Sequence, residues 1–552
     1  MAYTRHRVKL TGTGFPLLSE FSGRSVVIPD LDENKGTITE PNKEIANIYY
    51  CENVLPTNEG YRSISFTKAI DPIELEVGTY LANRKYTYGE LKLITYADML
   101  DTVATATELG LHFTRIFEVR DSDSKTYIGI CANGIVWIYD IPNSRWKTLN
   151  VTGWNGEGEV TTAVVLLATG ITTFICIAGF ALYTVDIVNL KLDTPELLGG
   201  IDTTTILGIT SAFNYLIFHN GRYIQWSSAF NPLDFDLTLA IESGTGFGIP
   251  SGIRGIITAL SSNPAGFLVY TTSNAVDVRW SGNIQFPWVF TPVPNSAGID
   301  SSENVVNGLE GVNYSWTNAG LQQVSAAKAD AIFPEVTDFL SGSVLELYNH
   351  TQRKVLVSDV ADINVAISFL GSRYFVISYG KVLPSTGLPK DLYQYCLVYD
   401  SALQRWGKLA ITHASAIGLN LASPKAGDPK KDIGFLLGSG EVQVVNFDAH
   451  DFTADAVFMF GKIALTRKTL TTIQGVLVDN VGEGNTNFTL SIATTLDGKE
   501  LQFSLNDPVA RDMNSTTRDY LTRVTGVNHV LLLGGSFNLN SIEITSSVAG
   551  RR

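Results

Sequence analysis

The stretch 127–146, YIGICANGIVWIYDIPNSRW, constrains the fold more than any other part of the chain. Apolar and small residues run into a turn at Ala132-Asn133-Gly134, and apolar residues climb out through Val136, Trp137, Ile138 and Tyr139. That pattern is one β-hairpin, with Asn-Gly supplying the positive φ angles of a tight turn. The shape returns as FICIAGFALYTVD around Gly179, YLIFHNGRYIQW around Gly221 and FLVYTTSNAVDVRW around Asn274. Further copies are YSWTNAGLQQV at Gly320, YFVISYGK at Gly380 and FLLGSGEVQVV at Gly440. Successive turns lie roughly 40 to 60 residues apart, the repeat length of solenoids and of propeller blades with about four strands each.

A second signature links two distant repeats. Tyr139-Asp140 and Tyr399-Asp400 are each followed, after five residues, by Trp146 and Trp406, and an arginine precedes each tryptophan (Arg145, Arg405). An Asp at the end of a strand can cap the turn amides that follow, and the aromatic can pack between blades. With alternating Val, Ile, Thr, Tyr and Phe and little helical periodicity, the expected class is all-β: a propeller of six or seven blades with an additional β-sandwich or platform domain. One short helix is expected around 97–106.

The division expected along the chain is an N-terminal arm with β-strands at 1–105, the propeller at 106–450 and a C-terminal β-sandwich at 451–552. The first part opens on Arg5, His6, Arg7 and Lys9 before an acidic run at Asp30, Asp32 and Glu33, and reads as an extended arm. Residues 329–359 are too long for a blade-to-blade turn, and are expected to hold part of a blade or a projecting loop. The run 423–431, SPKAGDPKK, reads as an exposed loop. Strands of the sandwich are expected at 456–467, 473–481, 487–493, 523–533 and 541–548.

Composition excludes some functions. A formal charge of −14 argues against a nucleic-acid clamp held by counterion release. An acidic wall repels phosphates and suits a conduit better. The four cysteines, Cys51, Cys131, Cys176 and Cys396, form no CxxC pair, so zinc is not expected and buried blade positions are. No basic and apolar leader opens the chain, which points to assembly in a reducing cytoplasm and makes the Asn-x-Ser/Thr matches chance. Residues 160–185 are uncharged and long enough to span a bilayer, yet they hold six threonines and align with the recurring hairpin, so no membrane insertion is expected.

An N-terminal strand ending in Leu55-Pro56-Thr57-Asn58-Glu59-Gly60-Tyr61, followed by repeats carrying Trp226-Ser-Ser-Ala-Phe-Asn-Pro-Leu-Asp-Phe235 and Gly282-Asn-Ile-Gln-Phe-Pro-Trp288, resembles the tail nozzle proteins of short-tailed bacteriophages. These are also called tail tubular protein B or head-to-tail stabilisation proteins. The resemblance implies a structural virion protein, assembled in the host cytoplasm and resident in the tail. It implies a homo-oligomer, a hexamer around a channel, docked to the portal-adaptor (head-to-tail connector) ring and carrying tail fibres or appendages. Viral DNA would pass through the lumen without sequence-specific binding, and the ring would gate genome retention and ejection. It also implies that N-terminal strands join the C-terminal sandwich in a platform beside the propeller.

No catalytic constellation emerges, and no enzyme is expected. The best metal-like cluster, Asp448-Ala-His450-Asp451 with Asp455, matches no established loop spacing and reads as a polar linker. No Gly-x-Ser-x-Gly elbow is present, and His219, inside a hairpin, reads as a blade residue rather than a base. Trp226, Trp288 and Trp406 read as core. Catalytic, cofactor-binding and metal residues are therefore all assigned as none, with no cofactor. Two other readings stay open: a monomeric Kelch-like interaction propeller that binds a protein or glycan, and a glycan-active propeller enzyme.

Overall fold

The computed structural model describes most of 113–340, 366–419 and 432–549, with shorter stretches at 4–9, 26–27, 48–70, 74–76, 103–105, 346–348 and 354–356. Within these residues the recurring hairpins are the middle strand pairs of seven four-stranded antiparallel units, numbered here as blades 1 to 7 in chain order. Blades 1 to 5 cover 113–150, 160–193, 208–248, 257–292 and 305–331. Blade 6 is formed by Ala366–Leu370, Tyr374–Val382, Leu392–Asp400 and Arg405–His413. Blade 7 takes three strands from 415–446 and its outermost from the N-terminal part, Ser65–Ile70, which pairs with Val442–Asn446. The first strand of each blade packs on the first strand of the next, and that of blade 7 packs on Phe113–Arg120 of blade 1, so the ring closes. The chain is an all-β, seven-bladed propeller.

The turns explain the recurrence of the hairpin. Each middle pair turns at the end of the ring where the next blade begins. The Gly179 amide donates to the Ile206 carbonyl (2.9 Å), the Ile257 amide to Gly221 (2.8 Å) and the Ile299 amide to Thr271 (2.9 Å). Gly179, Gly221, Gly320 and Gly440 have φ between 69° and 98°, the left-handed region a tight turn needs. The uncharged stretch 160–185 forms three strands of blade 2, and among the described residues no helix is long and apolar enough to cross a membrane.

Three expectations change. Gly380 is not a hairpin turn: it lies inside Tyr374–Val382 with φ 73°, between the pairs Tyr379–Tyr395 and Lys381–Tyr393, and the register with Leu392–Asp400 is the same on both sides of it. Val103–Thr105, in the expected helix 97–106, is a strand paired with Glu74–Glu76; the rest of 97–106 lies outside the described residues. Ser65–Ile70, grouped with the platform on sequence, closes the propeller instead.

At Tyr399-Asp400 the Tyr-Asp signature has the predicted geometry. Tyr399 lies opposite Trp406 and Tyr139 opposite Trp146, with Asp400 opposite Arg405 and Asp140 opposite Arg145. The rings of Tyr399 and Trp406 are 4.9 Å apart. The buried Asp400 carboxylate accepts from the amides of Ala402 (3.0 Å) and Leu403 (3.2 Å) and from Arg373 Nη2 (2.7 Å). Asp400→Ala is expected to cost about 2–3 kcal/mol, because those turn amides lose a charged acceptor. Asp400→Asn, which retains one acceptor oxygen, should cost less. Urea unfolding of the two variants checks the order.

Beside the propeller stand two packed sheets. One contains Thr4–Lys9, Asn538–Val548, Thr471–Asn480 and Asp519–Gly526; the other contains Val26–Val27, Ile48–Glu52, Val457–Phe460, Phe488–Thr495 and Asn528–Gly535. Val8, Ile473, Val476 and Ile544 from the first meet Cys51, Phe458, Leu490 and Leu531 from the second in one buried cluster. The period-2 alternation of strands gives the second sheet two apolar faces. Phe458 and Leu531 face the sandwich core, whereas Val457, Met459, Val530 and Leu532 join Phe375, Tyr379 and Trp406 of blade 6. The helix Pro334–Leu340 adds Val336, Phe339 and Leu340 to that second cluster. Of the long connection 329–359, Ala329–Ala331 is therefore a blade 5 strand and 334–340 is interdomain core.

Candidate interaction surfaces

The hairpin that carries the resemblance is the seam between propeller and sandwich. Val54–Pro56 pairs with Tyr61–Ser63, and the turn closes through Thr57 N to Gly60 O (2.9 Å) and Gly60 N to Thr57 Oγ1 (3.1 Å). On one side Lys408 of blade 6 pairs with Val54, and on the other Tyr61 pairs with Leu539, so a single ten-stranded sheet runs from blade 6 into the sandwich. Val54 and Tyr61 enter the sandwich core, while Leu55 and Ile64 enter the core between blades 6 and 7. Gly60 is required by close approach: a Cβ there would meet the Leu539 carbonyl oxygen at 1.9 Å.

Arg405, from the Tyr-Asp signature, holds this seam. Its guanidinium donates to the carbonyls of Gly60 (3.0 Å) and Thr57 and sits 5.6 Å from the centre of the Tyr61 ring. Burial lowers its pKa, a direction opposed by Tyr61 and Asp400. Lys408 adds a contact to Glu52 (3.2 Å) and lies 4.4 Å over the Tyr395 ring.

The axial opening of the propeller is occupied at the end where the blades begin. The Ser302 amide, at the entry to blade 5, donates to Glu159 Oε2 at the entry to blade 2 (2.9 Å). Glu303 accepts from Tyr393 of blade 6 (3.1 Å) and faces Arg115 of blade 1 (3.5 Å). A bond between blades 2 and 5 can form only across the axis. The turn 301–304 thus bridges the mouth of the channel.

Among the described residues the most exposed aromatic surface lies at the opposite end of blades 2 to 4. Phe230 is 74 % exposed and Phe286 73 %, and each belongs to one of the two other motifs that carry the resemblance. Around them stand Leu166, Phe213 and Ile284, all exposed. The loops are tied together. Asn214 accepts from Leu166 N (2.7 Å) and returns a bond to Leu166 O (3.1 Å), joining blade 2 to blade 3. Phe213 lies 5.9 Å from Trp280 of blade 4, a Cβ on Gly244 would touch Ile284, and Ala229 N donates to Ser243 O (3.2 Å). The neighbours of these phenylalanines in the motifs are structural: Trp226 bonds Gly244 O (3.0 Å), Phe235 packs on Phe218, and Trp288 packs on Phe267.

Trp226, Trp288 and Trp406 are buried, as are all four cysteines, and burial pushes the Cys51 and Cys176 thiols up to about 12. His219 is a buried blade residue whose Nδ1 accepts from Gly221 N (3.3 Å). The cluster 448–455 and the loop 423–431 lie outside the described residues. Among the described residues no group of three or more His, Cys, Asp or Glu is placed to hold a metal.

One pair was not singled out on sequence. Ser378 Oγ lies 2.8 Å from His413 Nε2, and His413 Nδ1 lies 2.8 Å from the Ile411 carbonyl. That is the bonding pattern of an activated serine, but both residues are buried. Desolvation also holds the imidazole at about 4, too weak a base at neutral pH. The pair ties the second strand of blade 6 to its fourth. Thr471 with His529 (2.8 Å) and His6 with Ser546 (3.0 Å) make similar ties in the sandwich.

The molecule is thus a closed propeller fused to a two-sheet platform, with one mouth of its axis bridged and an aromatic loop surface. No protein-family model matches the sequence, and no curated protein matches it. Solved structures with similarity include a chain of a mitotic checkpoint complex (TM-score 0.33, 10 % identity, 60 % of this chain and 93 % of that one). YCF48 bound to a D1 peptide gives 0.35, 9 %, 62 % and 97 % in the same order. The extracellular domain of a putative one-component system from B. thetaiotaomicron gives 0.37, 9 %, 92 % and 64 %. At such scores none of them bears on what this chain does.

Proposed function

We propose that the chain is a structural subunit of a bacteriophage tail nozzle, assembled as a ring on the portal-adaptor and continuing the DNA channel. One observation carries the reading. The platform is built jointly from N-terminal strands and strands after 456, and the Leu-Pro-Thr-x-x-Gly-Tyr hairpin welds it to the propeller. This is the arrangement that the resemblance implies. The bridged mouth of the propeller axis supports a lumen between copies rather than through one subunit. A charge of −14 suits a wall along which DNA slides without binding. The working part is mechanical: loops facing the lumen hold the genome until triggered, and outer surfaces anchor fibres or appendages.

Electron microscopy of the purified chain mixed with the adaptor ring tests this. The expected images show about six copies stacked coaxially on the ring. Bare rings beside free chains, with a defined protein or glycan ligand found separately, would favour the monomeric interaction propeller.

A further inference from the structure

Four Asn-Gly pairs occur in the chain, and two of them, Asn220-Gly221 and Asn307-Gly308, lie among the described residues. An asparagine before glycine is open to attack on its side-chain amide by the next backbone nitrogen, because no Cβ shields that nitrogen. The fold treats the two pairs in opposite ways. Asn307 is clamped at both ends of its amide: Oδ1 accepts from Ser261 Oγ, and Nδ2 donates to Ser262 Oγ (2.9 Å). The nitrogen beside it is committed too, since Gly308 N donates to the Val312 carbonyl (2.7 Å).

Asn220 sits in the turn between Tyr215–His219 and Ile224–Trp226. Its Oδ1 accepts from the amides of Arg222 and Tyr223 (both 3.1 Å), which folds the side chain back over its own peptide bond toward Gly221 N. The two amides polarise the side-chain carbonyl and stand where an oxyanion would form. Among the described residues no partner holds Nδ2, the group that would leave. Gly221 N donates to His219 Nδ1 over a long 3.3 Å, so the imidazole orients the attacking nitrogen without withdrawing it into a strand ladder. Asn220 is half-buried and its neighbour Arg222 is exposed, which lets water reach the turn.

We propose that Asn220 is a self-modification site, poised by the fold to form a succinimide with Gly221 and to hydrolyse to aspartate and isoaspartate. Gly221 N bonds to Asn220 Cγ, and the Gly221 N–H proton passes to solvent hydroxide. The Cγ–Nδ2 bond breaks, and ammonia leaves with a proton from water. Water then opens the ring: attack at Cγ leaves aspartate, and attack at the backbone carbonyl leaves isoaspartate, with the chain rerouted through the side chain. That route is one methylene longer at a crowded place. The Gly221 carbonyl accepts from Ile257 N of blade 4 (2.8 Å), and even a Cβ on Gly221 would press on Ile256 and Leu207 at 3.3 and 3.4 Å. Isoaspartate at 220 therefore loosens the junction of blades 3 and 4. The inference is independent of the nozzle reading and needs no partner.

The test is timed incubation of the full chain at mildly alkaline pH, folded and in urea, with peptide mapping by mass spectrometry. Isoaspartate is confirmed by labelling with an isoaspartyl methyltransferase. In the folded chain Asn220 is expected to convert at least about tenfold faster than Asn307, because only its carbonyl is held in a ready oxyanion site. In urea the two sites are expected to converge, since only the shared Asn-Gly sequence then counts. Folded Asn220 that converts no faster than Asn307, or more slowly than Asn220 in urea, would overturn the proposal. A rate difference that persists in urea would do the same, by assigning it to sequence rather than fold.

Discussion

Arg405→Ala is expected to lower stability by about 3–5 kcal/mol, since a buried guanidinium bound to two carbonyls and stacked on an aromatic ring is lost at once. The carbonyls of Gly60 and Thr57 hold the turn of the seam hairpin, and Tyr61 beneath Arg405 packs on Phe458 of the sandwich core (5.1 Å between ring centres). Loss of the arginine therefore loosens blade 6 and the platform together. Arg405→Lys should recover part of the loss, because an ammonium keeps the charge but cannot fork between two carbonyls. Lys328→Ala serves as control: its ion pair with Asp330 is exposed on both sides and is expected to contribute no more than about 1 kcal/mol. Urea midpoints and slopes of the three variants decide the matter. An Arg405→Ala midpoint equal to that of the control would show that the seam is held by apolar packing alone.

Acidification is the second large effect. Burial holds His219, His413 and His529 at about 4 in the folded chain, against about 6.5 when unfolded. The depressed value means that the folded state refuses a proton which the unfolded state accepts. Above pH 6.5 the three groups cost nothing. As pH falls through 6.5 the unfolded state gains protons, and stability declines until about pH 4, where both states are protonated. The expected loss is about 2 kcal/mol per histidine by pH 5, large beside the roughly 5–15 kcal/mol of a typical folded domain. Denaturation midpoints at pH 7 and pH 5 measure the sum. His413→Gln should flatten part of the slope, and an unchanged midpoint between the two pH values would contradict the burial assigned to these imidazoles.

The repeat was legible because two local signals coincide in blades 2, 3, 5 and 7: period-2 apolar strands and a turn glycine at positive φ, Gly179, Gly221, Gly320 and Gly440. Gly380 carries the same local signal and sits inside a paired strand, a difference decided by its pairing partner and invisible along the chain. The role of Ser65–Ile70 was hidden for a related reason, since its partner Val442–Asn446 lies almost the whole propeller away in sequence. The stretch 523–533 reads as one strand, but the chain changes sheets at Val527, a corner that only the packing of two layers requires. The helix Pro334–Leu340 is too short to show helical periodicity and owes its place to Val336, Phe339 and Leu340 beneath the platform.

For the surfaces, the quoted motifs contained the key residues without revealing them. In Trp226–Phe235 the buried aromatics are Trp226 and Phe235, and the exposed aromatic is Phe230 between Ala229 and Asn231. The available signal was an aromatic set among turn formers, as in Ala-Phe-Asn-Pro and Gln-Phe-Pro, where no strand can bury it. Arg405 was noted as a repeated residue, but its bonds to a turn near the start of the chain are a tertiary fact.

The mass of the purified chain by light scattering, alone and after mixing with the portal-adaptor ring, tests the central reading most directly. The nozzle assignment predicts that the 60.1 kDa chain joins the ring as a closed set of about six copies. A chain that leaves the mass of the ring unchanged at every ratio would contradict it.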